Sequence, residues 1–176
     1  MELLFESRRE VVGVQGKLYP EQGKPTLHPE PVLTPDRFTD GAGCSIYGTV
    51  LRDGGRFRMW YQAWPRDWGG HDVDLVGYAE SEDGYRWTKP ALDLVEHGDG
   101  ESNLCNLGFH SPSVMIDPGA PPSHRYRATG FTAPGRRGAG DQVLERGYFA
   151  AHSADGLHWE LDGLRPQWRS SDGITS

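Results

Sequence analysis

Between Thr49 and Tyr61 the chain reads TVLRDGGRFRMWY, two strand-like runs on either side of Asp-Gly-Gly. A period of two puts successive side chains on opposite faces of a strand, and Asp-Gly supplies the positive φ angles of a tight hairpin. Ser113–Thr129, SVMIDPGAPPSHRYRAT, has the same layout around a longer Asp-Pro-Gly turn. Downstream of each lies a second, closer match. Ala79–Trp87 (AESEDGYRW) and Ala151–Trp159 (AHSADGLHW) share Ser-x-Asp-Gly-x-x-Trp. The shared positions are Ser81, Asp83, Gly84 and Trp87, then Ser153, Asp155, Gly156 and Trp159, all at one constant interval. Ser and Asp side chains bond turn backbone groups, and the Trp anchors the returning strand in the core. Each unit predicts strand, turn, strand, loop, strand, Asp-Gly turn, strand: a four-stranded antiparallel meander.

Four-stranded sheets in tandem are the blades of a β-propeller, in which radial stacking limits exposed edges. The expected units run from about Ile46 to Leu94 and from about Ser113 to Leu161, with a third opening at Arg165. Residues 1–45 read as an N-terminal arm and closing strand, with strand-like pieces at Glu10–Val14 and Pro31–Leu33. Residues 46–176 read as the partial propeller. Propellers carry 4–8 blades, so this chain is expected to be the N-terminal portion of a longer protein. The alternatives are two unrelated hairpins in another all-β domain, or a β-sandwich in which the repeat is incidental.

Composition narrows the functions. Gly (24) and Pro (13) among 176 residues exclude a coiled coil or helical repeat, and 11% aromatic residues argue against disorder. The net charge of -7, with basic residues scattered, offers no footprint for nucleic acid. No apolar run is long enough to span a membrane, and the opening MELLFESRRE is not a signal peptide, so the expected compartment is the cytoplasm. Cys44 and Cys105 are too few for a disulfide framework and read as separate buried thiols.

Three stretches carry a resemblance. Arg58–Pro65, RMWYQAWP, is similar to an aromatic strand that ends in Tyr-Gln and is followed by Pro. Gly77–Trp87, GYAESEDGYRW, is similar to the pattern G-H-A-x-S-x-D-x-x-x-W. Phe109–Met115, FHSPSVM, falls where that pattern has Arg-Asp-Pro. Across residues 28–162 the sequence resembles the five-bladed propellers of glycoside hydrolase families 32, 43 and 68, most of all family 32, the fructan and sucrose hydrolases. The resemblance implies an all-β β-propeller with about two and a half of five blades present. It also implies a glycoside hydrolase-like protein acting on a glycosidic bond, with carbohydrate as partner and no cofactor. Sialidase-type propellers also repeat Ser-x-Asp turns, but with an extra residue between Asp and Gly, and no Arg triad is assignable here.

Glycoside hydrolysis uses two carboxyl groups flanking the scissile bond. The resemblance puts a nucleophile near the start of the first inner strand, a second Asp in the Arg-Asp-Pro motif and an acid/base Glu in blade three. The first position falls at Ser45 or Ile46, and the nearest acid, Asp40, is expected as nucleophile or general base. His110 and Ser111 stand where Arg and Asp would, and the third position lies beyond Ser176. Gln62 matches the Tyr-Gln whose amide meets sugar hydroxyls; Trp64 and Trp68 are expected to stack on sugar, with His110 and Ser111 also touching substrate. The plainer alternatives are a Gln satisfied by loop backbone, a Trp plugging the core and a structural His. His71, Asp72 and Asp74 match no strong metal motif and read as a solvated loop, so no metal is expected. Asp53, Asp83, Asp117 and Asp155 read as turn residues. A catalytically inactive carbohydrate-binding propeller is the alternative function, and a protein-binding scaffold a third. Oligomeric state is left open.

Overall fold

The structure is a computed structural model that describes residues 23–70, 74–98 and 100–169. Strands β1 (Gly43–Asp53), β2 (Arg56–Trp64), β3 (Leu75–Ser81) and β4 (Leu104–Cys105) form sheet one in that order. Strands β5 (His110–Ile116), β6 (Tyr126–Thr132), β7 (Gly147–Ser153) and β8 (Glu160–Leu161) form sheet two. Every neighbouring pair is antiparallel. No α-helix occurs among the described residues. The all-β expectation of two four-stranded meanders therefore holds.

The repeated turns are built alike. Gly84 N donates to Ser81 Oγ at 2.9 Å, and Tyr85 N and Arg86 N donate to Asp83 Oδ1 at 2.8 Å. In the second copy Gly156 N donates to Ser153 Oγ at 2.8 Å, and Leu157 N and His158 N reach Asp155 Oδ1 at 2.8 and 2.9 Å. The Trp of each copy closes its own turn: Nε1 of Trp87 donates to Gly84 O at 2.9 Å, and that of Trp159 to Gly156 O at 3.0 Å. Backbone donors hold the Asp83 carboxyl below its usual range.

The fourth strand of each sheet is split. In sheet one Thr88 bridges Glu80, the chain leaves, and pairing resumes at Leu104 and Cys105 opposite Gly77 and Val76. In sheet two β8 pairs with His152 and Ala151, and after a gap Trp168 bridges Tyr148. Sheet one thus runs to Cys105 rather than to Leu94. The segment to Arg169, expected to open a third blade, completes sheet two instead, because Trp168 stacks on Tyr148 at 5.7 Å and 7°. The boundary between compact units falls between Glu30 and Pro31, so residues 31–45 belong with the sheets. Residues 23–30 of the smaller unit are exposed and lack regular structure. Pro31–Leu33 forms no strand; Glu10–Val14 and residues 170–176 lie outside the described residues.

The sheets stack front to back. The front of sheet one, with Trp60, Val76 and Tyr78, shares a core with Val114, Tyr126, Ala128, Phe149, Ala151 and Trp159 of sheet two. Met59, Tyr61, Ala79 and Leu104 occupy the back of sheet one, against Leu33, Cys44, Trp87 and Val95. Trp87 and Trp159 are equivalent, so sheet two turns its back to the front of sheet one. Burying each large side chain in these cores stabilises by roughly 1.5–3 kcal/mol. Tyr61 lies opposite Gly77, where an added Cβ would stand 2.3 Å from its ring; in sheet two an added Cβ on Gly130 would stand 2.5 Å from Phe109 Cβ. At the end with the Asp-Gly turns, Trp60 Nε1 donates to Gly156 O at 2.7 Å and Arg58 to Asp155 O at 2.8 Å. There Asp53 is bonded by Arg125 at 2.5 and 3.0 Å and by the Tyr126 hydroxyl.

Candidate functional site

At the opposite end, β1 and β5 are both irregular. The β1–β2 register shifts between Ser45 and Thr49, and the β5–β6 register shifts between His110 and Ser113. Bulges bend a strand and re-aim its side chains, and they recur beside active sites. Gly48 permits the first, since a Cβ there would lie 1.9 Å from Trp60 O. The bulge leaves Tyr47 58% exposed on β1, its ring edge-on to His110 at 6.3 Å. In the second bulge Ser111 adopts φ 52°, a left-handed conformation that non-glycine residues avoid. The two bulges are stitched together. Thr49 Oγ1 donates to Pro112 O at 3.2 Å and accepts from Val114 N at 2.9 Å. Ser111 N donates to Gln62 Oε1 at 3.1 Å. We call this edge the mouth.

A buried carboxylate lies behind it. Asp74, fully buried, accepts from Thr132 Oγ1 at 3.1 Å and Arg136 Nη2 at 2.7 Å, and its Oδ1 lies 3.8 Å from His110 Nδ1. Burial pushes the Asp74 carboxyl up, opposed by Arg136, Thr132 and His110. Arg136 also lies over the Phe131 ring. His71 and Asp72, expected to share a solvated loop with Asp74, lie outside the described residues, whereas Asp74 itself is a buried link between the sheets. No group of three or more metal-ligating side chains converges among the described residues.

The remaining site residues fall into three settings. Gln62 is fully buried, donating from Nε2 to Leu75 O at 3.0 Å while Oε1 accepts from Ser111. Trp64 and Trp68 pack together at 5.7 Å and 37° beyond the mouth end of sheet one, with Trp68 40% exposed. Asp40 lies elsewhere, on the back of sheet one. Its Oδ1 accepts from Asp36 N and Arg37 N at 3.2 and 3.0 Å, and its Oδ2 from Tyr61 Oη at 2.8 Å and Lys89 Nζ at 2.5 Å. Asn103 bonds Tyr61 Oη at 2.8 Å and meets Thr39 through its own amide oxygen. Burial and the Asp40 charge push the Tyr61 phenol far up. The structure therefore groups His110, Ser111 and Gln62, sets Trp64 and Trp68 at the rim, and keeps Asp40 in a separate buried network. Tyr47, Asp74 and Arg136 were missed by the sequence reading. The signal for Tyr47 was the glycine that follows it, Gly48, inside a strand-like run.

The described residues thus define an all-β protein of two front-to-back sheets with an aromatic, His- and Ser-lined edge where they meet. No family model matches the chain, and no curated protein matches it in sequence. Among solved structures it is similar to a candidate glycoside hydrolase from Bacteroides ovatus ATCC 8483, at 19% identity and a TM-score of 0.47 over 81% of this chain and 42% of that one. A candidate glycoside hydrolase from Parabacteroides distasonis ATCC 8503 gives 18% identity and a TM-score of 0.48 over 76% of this chain and 39% of that one. The chain therefore spans about two fifths of each.

Proposed function

We propose that this chain is the N-terminal part of a glycoside hydrolase-like propeller and that its mouth binds a saccharide. The observation that carries the reading is the pair of adjoining bulges, which exposes Tyr47 and sets His110 and Ser111 beside it. Tyr47 and the Trp64–Trp68 pair offer faces for sugar rings, and His110 and Ser111 offer hydrogen bonds to hydroxyls. The propeller reading is supported by the flanks of the inner strands. Ile46 and Val50 on β1 are exposed, and so is Met115 on β5, at 57%, where further blades of a ring would pack.

Binding is the primary activity in this reading. The mouth contributes no exposed carboxylate among the described residues, Asp74 being buried and Asp40 lying in its own network. Titration with sucrose and inulin oligosaccharides tests it. Tyr47→Ala and Trp68→Ala should each weaken binding about tenfold, the effect of one aromatic stack of about 1.4 kcal/mol. Unchanged affinity in both variants would remove the saccharide reading. Release of reducing sugar in the same samples separates a hydrolase from its silent relative.

A further inference from the structure

We propose that Gln62 is a positioning residue of the mouth, whose amide holds the backbone of Ser111 in its left-handed conformation and so sets His110 and Ser111 in place. The inference rests on the saccharide reading above and replaces a sugar contact by the Gln62 amide with a role one step behind the ligand.

Three observations carry it. The bulge between His110 and Ser113 takes Ser111 out of the β5–β6 ladder, and the Gln62 oxygen receives the Ser111 N–H at 3.1 Å. Ser111 at φ 52° is one of two non-glycine residues with positive φ among the described residues. Such a conformation persists only when its surroundings enforce it, and it clusters at functional sites. Gln62 is also spent in both directions: its Nε2 is committed to Leu75 O at 3.0 Å. A primary amide can donate and accept at once, so one side chain ties β3 of sheet one to β5 of sheet two.

The repeat supplies the control. Gln62 lies in register with Ser45 and Val76, and its counterpart Phe131 lies in register with His110 and Tyr148. Sheet two builds the same strand position with an apolar ring. The meander itself therefore does not require an amide here. A buried amide is costly unless both its ends are bonded, and sheet one carries it where the two bulges meet.

The test uses the whole chain and two variants. Gln62→Met keeps the length and removes both hydrogen bonds; Gln62→Glu keeps an acceptor for Ser111 and, protonated in this buried setting, a hydroxyl that can still donate to Leu75 O. In the native chain a scalar coupling across the hydrogen bond, from Ser111 ¹⁵N to Gln62 ¹³Cδ, should be detectable by NMR. In Gln62→Met the Ser111 amide should exchange about tenfold faster, and its carbon shifts should leave the left-handed range. The Tyr47 and His110 ring signals should move with it, while the Trp87 and Trp159 indole signals stay. Gln62→Glu should restore the Ser111 signature. Affinity for sucrose and inulin oligosaccharides should fall about tenfold in Gln62→Met and recover in Gln62→Glu. No coupling in the native chain, an unmoved Ser111 in Gln62→Met, or undiminished saccharide binding by that variant overturns the positioning role. If the native chain binds none of these saccharides, the saccharide reading fails, and the Ser111 measurements still judge the Gln62 restraint by themselves.

Discussion

Replacing Asp40 with Asn distinguishes a framework residue from a nucleophile. The Asp40 side chain is fully buried and that of Lys89 is 5% exposed, with Nζ to Oδ2 at 2.5 Å. Removing one partner of a buried ion pair costs about 3–5 kcal/mol, because the other charge is left uncompensated. Asn falls at the lower end of that range. Its oxygen can keep the Asp36 and Arg37 amides, and Lys89 retains Asp36 at 2.6 Å and Thr34 O at 2.7 Å. Its NH2 group, however, would face the Lys89 ammonium and the Tyr61 hydroxyl, opposing donor to donor. Lys89→Met should cost at least as much, leaving a buried carboxylate with neutral donors alone. The double variant should cost less than the two singles summed, since neighbours in one network are not additive. Urea unfolding followed by Trp fluorescence measures all three, against a domain stability of roughly 5–15 kcal/mol. Should Asp40→Asn unfold within about 0.5 kcal/mol of the native chain, yet abolish a glycoside hydrolysis that the native protein catalyses, the framework assignment is refuted and Asp40 is the nucleophile or general base.

Two further predictions probe the joint between the sheets and the packing within one. Hydrogen bonds from Arg125 and Tyr126 hold Asp53 down to about 2 from its ordinary 3.8, so its stabilisation is fully present above pH 3.8 and is lost as the pH falls through 2. Asp53→Asn should therefore cost about 1–2 kcal/mol near neutral pH, discounted for solvent screening, and the gap to the native chain should shrink towards pH 2; a gap constant across urea midpoints at pH 6, 4 and 2.5 refutes it. Gly77→Ala puts a methyl group 2.3 Å from the Tyr61 ring and should destabilise by about 1–3 kcal/mol, which thermal unfolding measures and an unchanged Tm contradicts.

How much of this was legible in the sequence follows from which interactions are local. The Ser81-x-Asp83-Gly84 turn closes within a few residues, so residue types alone foretell its hydrogen bonds. The strand–turn–strand pattern around Asp53-Gly54-Gly55 is equally local, and β1 and β2 form as it predicts. The split of the fourth strands was not legible. Nothing in Lys89–Asn103 announces that the chain leaves sheet one and rejoins it at Leu104, because that excursion is fixed by distant partners. Lys89 Nζ finds Asp40, and Leu92 N donates to Ser102 O at 2.7 Å. The setting of Asp40 was hidden for the same reason. Its charge is answered by Lys89, whose place beside it depends on how the loops fold over the back of sheet one. The site divided along this line. His110, Ser111 and Gln62 were found through motif resemblance, but the left-handed Ser111 and the exposed Tyr47 arise from bulges, which alternation cannot foresee.

The stacking sense bears on what the sheets can build. In a sandwich of two equivalent sheets the same face of each turns inward, and the pair closes on itself. Here Ala151 faces sheet one while its equivalent, Ala79, faces away from sheet two. A front-to-back joint is heterologous: it uses different faces of successive units, so each added unit presents the same front again and the array ends only by closing or by being capped. The back of sheet one is capped by Leu33, Trp87 and Val95 over β2, β3 and the Cys44 end of β1. Further along β1, Ile46 and Val50 remain exposed. In the proposed propeller that division would follow the geometry of a wedge. Where blades diverge, at the outer strands, loops must fill the gap; where they converge, at the inner strands, only another blade fits. In the propeller proposed above, this pattern of capping and exposure would suit a ring, with the mouth, built from β1 and β5, near its axis.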